Sequence, residues 1–198
     1  MRQIRGDLDT LFIQASAAKI VSILTANGYI SKFDTSGSVF SYWPNPSRYF
    51  ITDEVELQLQ ADNSSSALIL AQSAAYAVDP SATISASSPE YKVALGNLYF
   101  NKISNAAAAS ENEIVVYSVV KNLGAYVRDA ALNKGKKLII VSHSQGNFMA
   151  EAVDAYIRHG LLPSDSSVLT RNVKYVGAAS AAASTPNNRY ISASEDIS

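Results

Sequence analysis

The sequence contains no cysteine and only two histidines among its 198 residues. The absence of cysteine excludes disulfide bonds and thiolate metal sites. No aspartate or glutamate lies at metal-ligand spacing from either histidine, His143 or His159. The sequence also has no glycine-rich phosphate loop. We therefore predict neither a metal nor a cofactor.

An excess of charge of one sign and a long hydrophobic run are also missing. The formal net charge is -1 and the pI is near 6.1, so the chain has no basic surface for nucleic acid or an anionic membrane. No run of about 18 apolar residues is present to span a bilayer, and residues 1–9 are too charged for a secretory signal. We expect a small-molecule partner, no nucleic acid, no integral membrane segment and, if the chain is intact, a cytoplasmic location.

The composition is 47% hydrophobic, which at this length is enough for one domain with a sizeable core. Helical and strand patterns alternate without a repeat or a linker, so we predict a single domain over residues 1–198. Its expected fold is α/β, a three-layer parallel sheet with helices on both faces. The predicted helices cover residues 11–26, 52–77 with a break at 62–66, 91–103, 113–132 and the segment after 146; the predicted strands cover 39–43, 138–141, 172–177 and 189–193.

A loop rich in serine and proline begins at residue 79. We interpret residues 79–111 as a lid or cap insertion over the site. The aromatic residues between 40 and 50 are either core or the lining of a pocket, and strand composition favours the core.

The segment from Lys136 to Ala150 carries the strongest functional signal. Four aliphatic residues, 138–141, are followed by a break at Ser142-His143-Ser144-Gln145-Gly146 and then by a helical pattern. A buried strand that turns sharply into a helix exposes the residue at the turn, and that residue is Ser144.

This pattern resembles the nucleophile elbow of the α/β-hydrolase superfamily, Gly-x-Ser-x-Gly, whose lipase and esterase members often have histidine before the serine. Ser142 stands where the motif has its first glycine, and it adds only a hydroxymethyl group where strand and helix cross. The resemblance implies that Ser144 is the nucleophile and that the Gln145 backbone N–H stabilises the oxyanion. His143 and Gly146 complete the elbow.

The same resemblance implies an acid and then a histidine after the nucleophile. Asp196 follows the last predicted strand and is the expected acid, with Glu195 as the alternative, but only two residues follow Asp196 and neither is histidine. His143 adjoins the nucleophile, and because adjacent residues on a tight turn point apart, we expect it to have a packing or orienting role and not to take the Ser144 proton. His159 is about 20 Å distant at the end of the next helix, where a cationic role is expected.

Three further positions are candidates, one for the second oxyanion donor and two for the triad acid. Gly6-Asp7 is the candidate for the second oxyanion donor, since the family takes that donor from a loop near the start of the domain. Asp154 falls in the helix after the elbow and Asp165 in a predicted loop, and we interpret both as surface charges.

These observations predict a serine hydrolase of the lipase or esterase type that acts on a carboxylic ester or thioester, with a lipid-like or other small-molecule substrate. Without a triad histidine the chain is expected to be inactive or weak, either as a truncated catalytic domain or as a pseudoenzyme. The alternative is a non-catalytic ligand-binding or scaffolding protein on the same fold.

Overall fold

The computed structural model describes residues 50–143, 146–178, 190 and 191, together with positions 19, 22 and 26. The chain divides into two units, Met1–Pro44 and Asn45–Ser198. In the first unit the three described positions are helical and exposed, and they lie within the helix predicted over 11–26. The single domain over 1–198 stays a prediction.

The described part of the second unit is built mainly from five helices. They are α1 Phe50–Val78, α2 Pro89–Ser104, α3 Glu111–Arg128, α4 Gly146–Arg158 and α5 Pro163–Asn172, and the strands are β1 Leu138–His143, β2 Val173–Ala178 and β3 Tyr190–Ile191. A 3₁₀ turn at Ala106–Ala108 and a π turn at Asp129–Asn133 flank α3. β1 and β2 pair in parallel from Leu138–Val173 to His143–Ala178, and the two residues of β3 extend along β2.

The predicted three-layer sheet with helices on both faces is wrong, because helix accounts for 74% of the described residues. The helices α1, α2 and α3 follow one another without an intervening strand, so they bury their apolar faces against each other and against α4. Only one face of the small sheet is buried in the described part. Tyr175 on that face is 2% exposed, whereas Val141 on the other is 43% exposed.

Helix α1 is continuous, so the break predicted at residues 62–66 is wrong. Asn63 is buried and its side-chain amide donates to the Tyr99 hydroxyl at 3.4 Å. Gln58 donates to the Asp62 carboxylate one turn later at 2.8 Å. These contacts satisfy polar side chains that would otherwise compete with the helical backbone, and tertiary packing overrides their low helix propensity.

Residues 79–111 include α2, whose buried face belongs to the core through Tyr91, Leu95 and Tyr99. The loop before α2 is tied to α1, because the Gln72 side chain donates to the Ala82 carbonyl at 2.7 Å and accepts from the Ile84 N–H at 2.9 Å. A lid or cap role for this segment stays a prediction. Among the described helices, none combines the length and the apolar character that a bilayer crossing requires.

Helix α3 begins with a capping box. The Ser110 hydroxyl accepts from the Glu113 N–H, and the Glu113 carboxylate accepts from the Ser110 N–H at 3.0 Å. The helix ends in the π turn, after which Gly135 adopts a φ of 60° and the Lys136 N–H reaches the Ala130 carbonyl at 2.8 Å. The helix predicted over 113–132 is confirmed, with a glycine stop as expected.

Removal of the Ser110 cap gives the first testable prediction. Ser110→Ala is expected to lower the free energy of unfolding by about 1 kcal/mol, because an orphan backbone N–H loses its acceptor. Ser118→Ala is the matched control: Ser118 is exposed on the same helix, and alanine there is neutral or slightly stabilising. Urea unfolding of both variants at pH 7 checks the difference. Equal effects of the two substitutions would contradict the cap.

The same cap makes stability depend on acid pH. Hydrogen bonds from Ser110, first from its backbone N–H, lower the pKa of Glu113 from its usual value of 4.5. The stabilisation is present above that usual value and is lost as pH falls through the lowered pKa of the folded state. Ser110→Ala removes the hydroxyl that bonds this carboxylate, so the variant should lose less stability on acidification than the wild type.

Candidate functional site

The candidate site lies where β1 ends and α4 begins. β1 ends at His143 and α4 begins at Gly146, which confirms the strand predicted before the elbow and the helix predicted after it. Ser144 and Gln145 themselves lie outside the described residues, as does the side chain of His143. The flanking elements therefore carry the geometry of the site.

A hydrogen bond joins the two flanking elements. The Ser142 hydroxyl, on the penultimate residue of β1, donates to Asn147 Oδ1 on the first turn of α4 at 2.9 Å. Both residues are buried, Ser142 with 8% of its surface exposed and Asn147 with none. The Val176 carbonyl on β2 lies 3.5 Å from the same hydroxyl and is the weaker acceptor.

Gly146, at the start of α4, lies beside Ser142 of β1. A Cβ placed on Gly146 would lie 3.8 Å from the Cβ of Ser142, which is ordinary van der Waals contact. An alanine methyl group at position 146 would therefore fit beside Ser142.

Helix α4 carries a buried carboxylate that the sequence analysis assigned to the surface. Asp154 is only 2% exposed, so its interpretation as a surface charge is wrong. Arg158 Nε lies 3.0 Å from both Asp154 carboxylate oxygens. The Arg158 guanidinium also donates to the hydroxyls of Ser166 and Thr170 on α5, each at 3.1 Å. Burial raises the pKa of Asp154, and the Arg158 charge opposes that rise.

A second buried carboxylate, Glu151, follows Asn147 by one helical turn. Glu151 is 3% exposed, and the Ser64 hydroxyl on α1 lies 3.5 Å from its Oε2. Two tyrosines of α2 lie near it. Burial, reinforced by the Glu151 charge, raises the pKa of Tyr91 and brings that of Tyr99 to about 12, so both phenols are neutral at physiological pH.

The sequence analysis missed these buried polar groups on α4. Asn147, Glu151 and Asp154 recur at four- and three-residue spacing and therefore share one side of the helix. That spacing was visible in the sequence. Of these three residues the sequence analysis interprets only Asp154, and it does so as a surface charge, since charged side chains are rarely buried without a partner.

His159 lies just after α4, at the opposite end from the elbow. The 13 residues of α4 span about 20 Å. His159 Nδ1 lies 2.9 Å from Asn97 Oδ1, and the imidazole stacks on Phe100 with ring centroids 4.1 Å apart. An amide oxygen partner requires the proton on Nδ1. These contacts hold the ring on α2, away from the start of α4.

The remaining predicted residues are placed as follows. Asp165 lies in the first turn of α5, so the loop predicted there is wrong. The pattern of α5 is weak, with Leu169 as its only fully buried residue. The candidates Asp196, Glu195 and Gly6-Asp7 all lie outside the described residues, together with the aromatic residues 40–49.

An open apolar groove lies between the C-terminal half of α1, the loop after it and α2. Its volume is about 1020 Å³, and its walls include Leu70, Ala74, Val78, Val93 and Leu98. Val78 and Val93 are 89% and 63% exposed. The groove is a concave surface on elements that carry neither Ser142 nor Asn147.

Comparison with known proteins adds no relative. No protein-family model, curated protein or solved structure matches this chain. Within the described ranges, histidine, aspartate and glutamate side chains form no group of three that could hold a metal ion. The local geometry around the elbow is therefore the basis for any functional proposal.

Proposed function

We propose that this protein is a serine hydrolase of the lipase or esterase type, with Ser144 as its nucleophile and a carboxylic ester or thioester as its substrate. The observation that carries the proposal is the sequence of elements: β1 ends one residue before Ser144, and α4 begins two residues after it. The residue types at 142 and 146 support it, because serine and glycine are small and an elbow requires small residues at these two positions.

In this mechanism the Ser144 hydroxyl oxygen attacks the acyl carbon, a base takes its proton, and the alcohol or thiol leaves. Water then cleaves the acyl-enzyme. The oxyanion is proposed to form beside the N-terminus of α4, where the positive end of the helix dipole favours negative charge. The Gln145 N–H is the proposed donor, and Asp196 is proposed to orient a histidine base.

His159 is a poor candidate for that base because it lies at the far end of α4 and is bonded to Asn97. General base catalysis contributes about 10²–10⁴-fold to such reactions. We therefore expect this chain alone to react slowly.

The test is labelling with a fluorophosphonate, followed by mass spectrometry to locate the modified residue. Ser144 should be the preferred site, at a slow rate that added imidazole increases by supplying a base. Ser144→Ala should abolish the labelling, whereas Ser118→Ala, at an exposed serine of α3, should leave it unchanged. Labelling spread over exposed serines and unaffected by Ser144→Ala would contradict the proposal. Rapid labelling without imidazole would show that a base is already in place.

The second candidate function is binding of an apolar ligand without turnover, and the groove between α1 and α2 favours it. Most of its lining residues are apolar, and a groove of that kind suits an aliphatic ligand. Titration with a fluorescent fatty acid separates the two functions. The binding function would be favoured if Val93→Asp abolishes fatty-acid binding, Ser144→Ala leaves it intact, and fluorophosphonate does not label the protein.

A further inference from the structure

We propose that Ser142 and Asn147 are a positioning pair for Ser144, because their hydrogen bond ties the end of β1 to the start of α4 on either side of it. This inference rests on the proposed function, since it assigns a role to residues on either side of the proposed nucleophile. The pair joins the end of β1 to the first turn of α4. It therefore fixes both ends of the segment that contains residues 144 and 145.

The bond is well suited to this role. A serine hydroxyl has one proton, and at 2.9 Å the Asn147 oxygen is a better acceptor than the Val176 carbonyl at 3.5 Å. Both partners are buried, so water does not compete for the bond. Each of their elements also has further contacts of its own, because β1 pairs with β2 and α4 packs against α1, α2 and α3.

The pair also gives a physical reason for the departure from the hydrolase motif. Glycine at position 142 would supply the small size that the strand–helix crossing needs, but it has no donor for Asn147. In this chain the hydroxyl at 142 and the amide at 147 occur together. Ser142→Gly should therefore make the sequence more like the family motif and nevertheless make Ser144 less reactive.

A shift of about 1 Å in a reacting group lowers the rate about 10²-fold. Loss of one of several restraints on the turn should have a smaller effect. We expect Ser142→Gly and Ser142→Ala to slow fluorophosphonate labelling of Ser144 about tenfold. Ser142→Thr keeps the hydroxyl and should retain most of the wild-type labelling rate. All labelling rates are measured without urea, under conditions in which circular dichroism shows that each variant is folded. A change in stability alone therefore does not alter the labelling rates.

A double-mutant cycle tests whether the two residues act through each other. Asn147→Ala should slow labelling about as much as Ser142→Ala, and the double variant should be no slower than the slower single variant. Multiplicative effects of the two substitutions would overturn the pair. A rate unchanged in Ser142→Gly would also overturn it.

A second measurement keeps the inference testable if Ser144 proves unreactive. Because the chain has no cysteine, Ser144→Cys introduces a single thiol. The rate at which this thiol reacts with an aromatic disulfide depends on its surroundings and does not require hydrolase activity. Adding Ser142→Gly to Ser144→Cys should change that rate at least threefold, whereas adding Ser118→Ala should not. A changed thiol rate with no fluorophosphonate labelling would retain the positioning pair and reject the hydrolase. Identical thiol rates in all three proteins would reject the pair.

Discussion

Arg158→Met is expected to lower the free energy of unfolding by about 3–5 kcal/mol at pH 8, because it leaves a buried carboxylate without its counter-charge. Arg158 Nε contacts both oxygens of Asp154 at 3.0 Å, and Asp154 is 2% exposed. Tyr175 is buried beside Asp154, and burial, reinforced by the Asp154 charge, raises the pKa of its phenol. The substitution also removes the bonds from Arg158 to α5.

The loss should depend on pH. Burial already raises the pKa of Asp154 above its usual value of 3.8, and removal of the Arg158 charge raises it further. The extra loss of stability in the variant is therefore fully present above the pKa of Asp154 in the folded state. It disappears as the pH falls towards the pKa of this carboxyl in the unfolded state. Urea unfolding of the wild type and the variant at pH 8, 6 and 5 measures the difference, which should narrow at the acid end. A penalty that is the same at every pH would contradict this explanation.

The matched control removes both charges. Asp154→Leu combined with Arg158→Met should recover much of the lost stability, because apolar replacement of a buried ion pair is often neutral. Any loss that remains in the double variant reports the Arg158 contacts with Ser166 and Thr170.

Gly96→Ala is expected to destabilise the protein by about 1–3 kcal/mol, although alanine is the better helix former by about 1 kcal/mol. A Cβ on Gly96 would lie 2.6 Å from the Ala155 carbonyl oxygen and 3.2 Å from its carbon. These are backbone atoms of α4, so no rotamer change relieves the contact. The helices α2 and α4 would have to separate.

Two other glycines serve as matched controls. At Gly124 the nearest atoms to a new Cβ are side-chain carbons of Tyr156 at 3.0 Å and Ile157 at 3.1 Å, which can shift. At Gly146 the nearest is 3.8 Å away. Denaturant midpoints should therefore fall most for Gly96→Ala, less for Gly124→Ala and least for Gly146→Ala. A Gly96→Ala variant as stable as the wild type would show that the two helices are not in such close contact.

The local elements around the elbow could be predicted because their signals are local. The aliphatic run 138–141 and the apolar stripe after Gly146 differ in period, and that change marks a strand followed by a helix. The fold class could not be predicted in the same way. Periodicity shows which face of a helix is apolar and does not show whether a sheet or another helix covers that face. The sequence analysis therefore predicts that α1, α2 and α3 cover a large sheet, whereas in the described part of the structure they cover one another and α4.

The candidate site was predictable to a similar extent. The spacing of Ser142, Ser144 and Gly146 is visible in the sequence, but the bond from Ser142 to Asn147 depends on the angle between β1 and α4, which the sequence pattern does not give. Asp154 and Arg158 have the four-residue spacing of an exposed helical ion pair. The burial of Asp154 beside Tyr175 of β2 is a tertiary property, which this spacing does not reveal.

The central claim is that the chain turns sharply after β1 and exposes residue 144, and thiol accessibility tests it most directly. In an uninterrupted strand, residues 142 and 144 would point to the same face, and Ser142 is buried. The account predicts that Ser144→Cys reacts rapidly with an aromatic disulfide in the native protein, with a thiol pKa lowered by the N-terminus of α4, and that Ser142→Cys reacts only after unfolding. Equal protection of the two thiols would contradict the elbow.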